Sequence, residues 1–449
     1  MTTTKNNEHK KLNAPNKQEQ NQTCLDSAEC EGLRPKGNVP NLRFPEFQEE
    51  WEKCKLGTLT AKVGSGSTPK GGNAVYTSTG HCFVRSQNVG MGYLILDDVA
   101  HINDGIHQKH KATELKEDDV LLNITGASIG RTAIATKEIE GGNVNQHVCI
   151  IRANSKVSPK FLCNYIQTKK IQNYIQSLQT GGSREGLNFE QIRSFPISLP
   201  NIAEQNKIAQ LFDKLNERIA TQNKIIEDLK KLKSAIVEKV FCSPNQEYPM
   251  CRIEGFEQAL STYKMSDFSS RIATKNKDSK CSLVLTIAAQ YGLVNQESFF
   301  NKSVASENLT GYYLLHKGEF AYNRSYSAGY DWGAVKRLDN YDEGVLSTLY
   351  ICFKINETIV DSDYLTYYFE STKWHRGLSD IAGEGARNHG LLNVSITDYF
   401  NTKHRFPVIE EQKAIAKILN AITEKERKAT LLGECYQKQK QYLLRQMFI

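Results

Sequence analysis

The stretch Gly126-Ala127-Ser128-Ile129-Gly130 matches the G-x-S-x-G pattern, in which the serine is the nucleophile of a hydrolase. That chemistry needs a strand before the serine and a helix after it, because the sharp turn between them lifts the hydroxyl above the sheet. The segment that follows here, RTAIAT, carries β-branched residues at alternate positions, which predicts a second strand. The pattern therefore favours a glycine turn between two strands over a hydrolase that acts through Ser128.

Three histidines, His101, His107 and His110, lie close together in the sequence with aspartates nearby. A metal centre needs ligands at a defined spacing, as in H-E-x-x-H on one helix. These histidines follow no such spacing and lie on a polar, loop-like stretch. We predict no metal site here and expect a solvated surface.

The glycine-rich loop GSGSTPKGG, residues 64–72, lacks the G-x-x-x-x-G-K-[ST] order of a phosphate-binding P-loop. The chain also lacks a G-x-G-x-x-G after a strand and the Asn-Pro-Pro-aromatic tetrapeptide of adenine methyltransferases. The sequence thus predicts no catalytic residues and no site for ATP or S-adenosylmethionine. It indicates a protein that binds rather than an enzyme.

The elements that would hold these turns form a repeat. The segment from Pro200 to Phe241 returns 207 residues later, so that Pro200 matches Pro407 and Phe241 matches Phe448. In both copies apolar residues recur in alternating steps of three and four, which is typical of a coiled-coil seam between two long helices. An amphipathic helix packed on its own domain is the alternative. The predicted seam consists of Ile208, Leu211, Leu215, Ile225, Leu229, Leu232 and Ile236 in the first helix and Ile415, Ile418, Ile422, Leu432, Tyr436 and Leu443 in the second.

A globular segment precedes each long helix. Both segments read as strand, glycine turn, strand and short helix, which predicts an α+β protein of two similar domains whose long helices pair with each other. Residues 1–38 are polar and almost without large apolar side chains, which indicates a disordered leader. The predicted boundaries are 39–199 for the first domain, 200–242 for its helix, 243–406 for the second domain and 407–449 for the second helix.

Composition permits a polyanionic partner without requiring one. The chain has 57 basic and 50 acidic residues, a formal net charge of +7. Its 11 cysteines form no CxxC pairs and are scattered along the chain, which favours reduced thiols in a cytoplasm. No apolar run approaches the ~18 residues of a membrane span. We expect a cytoplasmic protein.

Taken in order, RFPEF…W…KLG, GSGSTPKGG, FVRSQNVGMGYL, DVLLNITGASIG and the duplicated Pro…Glu-Gln helix starts resemble the specificity subunits of type I restriction–modification enzymes. The resemblance runs from Asn41 to Ile449. It implies two target-recognition domains, each reading one half of a bipartite DNA sequence. It also implies an antiparallel coiled coil that spaces the domains.

Base edges are read mainly by Arg or Lys at guanine and by Asn or Gln at adenine. Polar turns in both domains supply such groups, and the histidine-rich stretch is a further surface that could face DNA. The predicted DNA-binding residues are Ser67, Thr68, Lys70, Arg85, Ser86, Gln87, Asn88 and Arg184 in the first domain and Arg271, Lys275, Asn323, Arg324, Tyr326, Arg387 and Asn388 in the second.

The resemblance further implies partners: double-stranded DNA, two modification (methyltransferase) subunits and restriction (translocase/endonuclease) subunits. S-adenosylmethionine, ATP and Mg²⁺ would then be bound by those partners, and this chain would bind no cofactor. A different class of function remains open, in which the chain is a non-enzymatic coiled-coil adaptor that binds protein partners instead of DNA.

Overall fold

The computed structural model describes residues 37–179, 186–301, 308–325, 329–381, 387–388, 391–392 and 394–449. The chain divides into two units: unit 1 comprises Met1–Ile219 with Cys435–Ile449, and unit 2 comprises Ala220–Glu434. The leader predicted for residues 1–38 lies almost wholly outside the described residues.

Unit 1 is built on antiparallel sheets. Its central sheet has the order β2-β9-β6-β7, a second sheet has the order β3-β5-β4-β8, and β1 pairs with β10. Only the β4–β8 pairing in these described sheets is parallel. The strands are β1 Glu52–Lys55, β2 Thr60–Ser65, β3 Tyr76–Thr77, β4 His81–Val84, β5 Ala100–Ile102, β6 Val120–Asn123, β7 Thr132–Ile134, β8 Asn143–Val144, β9 Val148–Ala153 and β10 Pro196–Leu199.

Short helices cover the central sheet, and one long helix follows them. They are α1 Asp104–Lys109, α2 Pro159–Ile166, α3 Lys169–Ser177, α4 Phe189–Arg193 and the 39-residue α5 Ile202–Val240.

Unit 2 repeats the plan. Its central sheet has the order β12-β19-β16-β17, which matches β2-β9-β6-β7 strand for strand, and β11 pairs with β22 as β1 pairs with β10. The strands are β11 Ser261–Lys264, β12 Ser269–Arg271, β13 Leu285–Ala288, β14 Gly292–Asn295, β15 Tyr313–His316, β16 Phe320–Asn323, β17 Ala334–Arg337, β18 Glu343–Leu346, β19 Ile351–Ile355, β20 Arg387–Asn388, β21 Leu391–Leu392 and β22 Lys403–Phe406. The helices are α6 Met265–Phe268, α7 Gln296–Phe300, α8 Ser362–Tyr368, α9 His375–Ser379, α10 Ile396–Asn401 and the 38-residue α11 Ile409–Gln446.

Each long helix begins in one unit and ends in the other. In unit 1 the start of α5 packs against the end of α11, and Phe212 lies 5.7 Å from Phe448 between ring centroids. In unit 2 the end of α5 packs against the start of α11, and Val237 shares a core with Leu419. The helices are therefore antiparallel, and the predicted α+β class with paired long helices is confirmed.

Matching phenylalanines complete the aromatic cores of the two units. In unit 1 Phe448, near the end of α11, packs on Phe161 and Tyr165 of α2 at centroid distances of 5.3 and 5.6 Å. In unit 2 the residue that matches it in the repeat, Phe241, packs on Tyr364 and Tyr368 of α8 at 5.0 and 5.7 Å. The duplication thus extends from the sequence to the side chains that hold each core together.

The Glu-Gln pair at each long-helix start links that helix to its own unit. Gln205 Nε2 donates to the carbonyls of Pro200 (2.8 Å) and Lys156 (3.2 Å), and its Oε1 accepts from the Ser158 amide at 2.8 Å. Gln412 makes the same three kinds of bond in unit 2. These bonds satisfy backbone groups at the start of both α2 and α5, which would otherwise be costly to bury.

The preceding glutamate of each pair is buried and paired with an arginine. Glu204 accepts two bonds from Arg43, at 2.8 Å to Nε and 2.7 Å to Nη2. Glu411 is held by Arg252 in the same manner, with 2.7 Å between Nη2 and Oε2. The repeat therefore begins at these arginines, well before the long helices.

The residues of the predicted coiled-coil seam differ in burial. Ile208, Leu215, Ile415 and Ile422 are buried, and Leu211, Leu229, Ile236, Tyr436 and Leu443 are partly buried. Ile225, Leu232, Ile418 and Leu432 are wrong, because they are 43–49% exposed.

For three of these four residues the following residue takes the position in the seam. Leu419 is buried, and Gly433 lies against Gln222 and Ile226. Ile219 is buried as well. Gln222 belongs to the seam as well, since its Nε2 donates to the Ala429 carbonyl at 2.9 Å. Steps of three and four are compatible with either phase wherever two apolar residues are adjacent, as at Ile225 and Ile226.

None of the helices in the described ranges combines the length and the apolar character that crossing a membrane requires.

Candidate nucleic-acid interface

The glycine-rich loop of unit 1 is held against the start of the polar stretch between β8 and β9. A Cβ on Gly66 would lie 1.7 Å from the Val144 carbonyl oxygen, so only glycine allows this approach. The Gly66 amide donates to the Asn145 carbonyl at 3.2 Å. As a result Thr68 Oγ1 donates to Gln146 Oε1.

A chain of hydrogen bonds continues from Gln146 to the turn after β6. Gln146 Nε2 lies 2.9 Å from His147 Nε2, and His147 Nδ1 lies 2.6 Å from Thr125 Oγ1. This series of hydrogen bonds joins Thr68, a predicted DNA-binding residue, to a turn for which the sequence predicted no function.

Two of these residues, Thr125 and His147, line one side of an open pocket of about 420 Å³ at the end of the central sheet. Its lining residues are Ser86, Gln87, Thr125, Gly126, Ala127, Ser128, Arg131 and His147. Arg131 is exposed and has no ion-pair partner within the described ranges. The pocket brings together two residues predicted to bind DNA, Ser86 and Gln87, with six that were not.

Arg131 follows Gly130, which has a φ of +85°. The Gly130 amide donates to the Asn123 carbonyl at 2.9 Å, and the Gly130 carbonyl accepts from Gln172 at 3.0 Å. This turn between β6 and β7 is therefore anchored on both sides, and it fixes where the Arg131 side chain leaves the backbone.

In unit 2 the same turn carries different side chains. Gly333 takes the place of Gly130, and the residue after it is Ala334 instead of Arg131. Arg324, which occupies the position of Ile124, donates to the Leu349 carbonyl at 3.2 Å and to the Val394 carbonyl at 3.1 Å. Leu349 itself is 57% exposed.

Two other predicted residues of unit 2 meet at one tyrosine. Arg271 Nη2 donates to the Tyr313 hydroxyl at 3.0 Å, and Lys275 Nζ lies 3.9 Å from the centroid of the same ring. Lys275 also donates to the Gly311 carbonyl at 2.8 Å. Strand β12 and the segment that follows it thus place two cations at Tyr313, which suits an anionic partner.

Comparison with known proteins agrees with this duplicated architecture. Residues 48–231 match the family described as "Type I restriction modification DNA specificity domain". The putative type I restriction enzyme MjaX specificity subunit of Methanocaldococcus jannaschii is 21% identical over 408 residues, which cover 86% of this chain and 90% of that protein. The chain thus contains a type I restriction–modification DNA specificity domain and is similar over most of its length to a specificity subunit. The EcoBI specificity subunit of Escherichia coli is 26% identical over 169 residues, 35% of this chain and 34% of that one.

The fold of this chain is shared with a solved structure. The crystal structure of the type I restriction–modification S subunit from M. genitalium has a TM-score of 0.56 and 15% identity. The match covers 92% of this chain and 99% of that one. Both units and both long helices therefore share the fold of that S subunit.

Several residues predicted to bind DNA make contacts within the protein. Asn88 is buried, and its side chain accepts from the Arg85 amide at 3.0 Å and donates to the Ile95 carbonyl at 2.9 Å. Arg85 Nη2 donates to the Asp98 carbonyl at 3.3 Å, and its guanidinium lies 5.8 Å from the Tyr76 ring centroid. Asn323 accepts from the Ser325 amide at 3.0 Å.

Other residues predicted to bind DNA are exposed or lie outside the described residues. Ser67 and Lys70 are exposed on the glycine-rich loop. Arg184 and Tyr326 lie outside the described residues. For Arg387 and Asn388 only the backbone is described, as strand β20.

The histidine-rich stretch is not the solvated surface that we expected. His107 is buried, stacks on His81 with 3.8 Å between ring centroids, and bonds to Asn143 Oδ1 at 2.8 Å. Its position on helix α1 accounts for this burial. Across the described residues, no three side chains of His, Cys, Asp or Glu are grouped so that they could hold a metal ion.

Ser128 lies in a short 3-10 turn, and strand β7 follows it. The nucleophile elbow needs a helix there. The predicted strand–turn–strand context is confirmed.

Sequence reasoning missed Thr125, Arg131 and His147. A usable signal existed for Arg131, since it directly follows the second glycine of the G-x-S-x-G turn. For His147 the signal was its place after Asn145 and Gln146, polar residues that interrupt two apolar runs.

Proposed function

We propose that this chain is a specificity subunit that reads a bipartite DNA target, with unit 1 and unit 2 each reading one half-site. One observation carries the proposal: at the same end of the same four-stranded sheet, unit 1 has Arg131 and His147 where unit 2 has Ala334 and Leu349, and unit 2 has Arg324 where unit 1 has Ile124. Side chains that differ on a repeated scaffold are what two readers of different base sequences require.

In this proposal the paired helices α5 and α11 set the number of unread base pairs between the half-sites. The support is that each helix contributes side chains to the cores of both units. Modification subunits, and restriction subunits where the system cleaves, would assemble with this chain and supply catalysis with S-adenosylmethionine, ATP and Mg²⁺.

We infer that helices of the modification subunits dock on the exposed apolar side chains of the long helices. Ile225 and Leu232 on α5 and Ile418 and Leu432 on α11 are each more than 40% exposed. A helical partner that lays its apolar face on such positions buries them.

A coiled-coil adaptor that binds only proteins is the alternative, and salt distinguishes the two. A DNA reader that contacts 6–10 phosphates is expected to lose roughly a thousandfold or more in affinity between 50 and 200 mM salt. Binding of the full chain, assembled with modification subunits, to double-stranded DNA is measured across that range. Affinity that barely changes with salt, or no binding to DNA at all, would contradict the proposal and favour the adaptor.

A further inference from the structure

The pocket of unit 1 presents hydrogen-bond donors. Gln146 donates its amide proton to His147 Nε2, so the neutral imidazole carries its proton on Nδ1 and donates it to Thr125 Oγ1. Thr125 already accepts a bond there, and its own hydroxyl proton remains available to the pocket.

Arg131 adds a planar fork of donors beside that hydroxyl. Its guanidinium has no ion-pair partner within the described ranges, and no carboxylate lines the pocket. A ligand that offers two acceptors fits the donors of Arg131 and Thr125.

Two parts of DNA offer paired acceptors: the major-groove edge of guanine, with O6 and N7, and a backbone phosphate. Phosphate contacts position a reader on DNA and carry no sequence information, so two copies of one scaffold have reason to keep them alike. The Arg131 position differs between the units, since unit 2 has Ala334 there. This difference favours the base over the phosphate.

We propose that the pocket of unit 1 binds the major-groove edge of a guanine in its half-site, with Arg131 donating to O6 and N7 and Thr125 adding a third donor. The chain Thr68–Gln146–His147 is the positioning element, because it directs the Thr125 hydroxyl. The inference rests on the proposed function, since it names the base that one reader selects.

The test selects DNA from a randomised library with the full chain assembled with modification subunits, followed by affinity measurements on the selected site. Arg131→Ala is expected to lose the guanine preference at one position of one half-site and to bind that site roughly tenfold to a hundredfold more weakly. Lys137→Ala is the matched control, because it removes an exposed cation beyond the other end of β7. It is expected to leave the selected sequence unchanged.

The sequence dependence of the loss in Arg131→Ala separates the base from the phosphate. A lost base contact weakens binding to the cognate half-site, whereas a lost phosphate contact weakens binding to every sequence alike. If Arg131→Ala weakens binding equally on every sequence, the contact is to phosphate and the proposal is overturned.

Thr125 gives a second, independent readout. Thr125→Ser keeps the hydroxyl and is expected to retain the preference, whereas Thr125→Val keeps the shape and is expected to weaken it. Equal behaviour of the two variants would remove Thr125 from the proposed contact. If the unaltered chain selects no DNA sequence, the proposed function is contradicted. If the unaltered chain and Arg131→Ala select the same sequence, only the proposed guanine contact is contradicted.

Discussion

Replacing Arg43 with methionine is expected to lower the free energy of unfolding of unit 1 by about 3–5 kcal/mol, the usual cost of stranding a buried charge. The Glu204 side chain is 0% exposed and receives both of its short bonds to a cation from Arg43. Without that arginine the carboxylate stays buried and unpaired. Hydrogen exchange of the peptide that contains β10 measures the loss, because this strand immediately precedes α5.

The control for Arg43→Met is Lys160→Met. Lys160 pairs with Asp213 at 2.9 Å in the same unit, but both side chains are at least one third exposed, and such pairs contribute at most about 1 kcal/mol. Adding Glu204→Gln to Arg43→Met should restore part of the stability by neutralising the stranded group. A loss for Arg43→Met no larger than that for Lys160→Met would contradict the role assigned to the pair.

Unit 2 is expected to lose stability as the pH falls below 6.5, and His404 is the reason. Its imidazole is buried between the Tyr368 hydroxyl at 3.0 Å and Thr402 Oγ1 at 2.9 Å. Desolvation lowers the pKa of His404 from 6.5 to about 3. Between these two pKa values His404 is protonated in the unfolded chain but neutral in the folded chain. The free energy of unfolding is therefore about 2.5 kcal/mol lower at pH 4.5 than at pH 7.

Urea unfolding followed by tryptophan fluorescence between pH 7.5 and 4.5 measures this loss, because Trp332 and Trp374 both lie in unit 2. The difference between the unaltered chain and His404→Asn cancels the contribution of carboxylates present in both. His404→Asn is expected to flatten the profile, whereas His316→Asn, at an exposed histidine, leaves it unchanged. Parallel profiles for the unaltered chain and His404→Asn would contradict the assignment.

The sequence predicted the architecture well because duplication is visible in it. Pro200 and Pro407 mark the long helices, which begin two residues later at Ile202 and Ile409. The start of the repeat was missed: Arg43 and Arg252 belong to it, but the ion pairs to Glu204 and Glu411 span about 160 residues and leave no local spacing to recognise.

The sequence pattern could not predict which residues form the seam of the coiled coil, and the reason is physical. Where apolar residues are adjacent, as at Leu211 and Phe212 or Ile418 and Leu419, a seam through either residue satisfies steps of three and four. The choice is made by packing at the helix ends, where Phe212 meets Phe448. Packing between segments more than 200 residues apart is not encoded in local periodicity.

The candidate site was predicted by residue type, and the outcome was mixed. Ser86 and Gln87 line one pocket and Thr68 bonds to Gln146 beside it, whereas Asn88 is buried and Arg324 binds backbone carbonyls. Asparagine and arginine are good at binding bases because they form several hydrogen bonds, and the same property lets them tie down a protein's own backbone. Only the fold decides which of these uses a given side chain has.

The central claim is that two units read two half-sites. It is tested most directly by mapping methylated adenines in DNA from cells that express this chain together with modification subunits. We predict a bipartite motif, with two specified blocks separated by a fixed number of unread base pairs. A single continuous motif, or methylation without sequence preference, would contradict it.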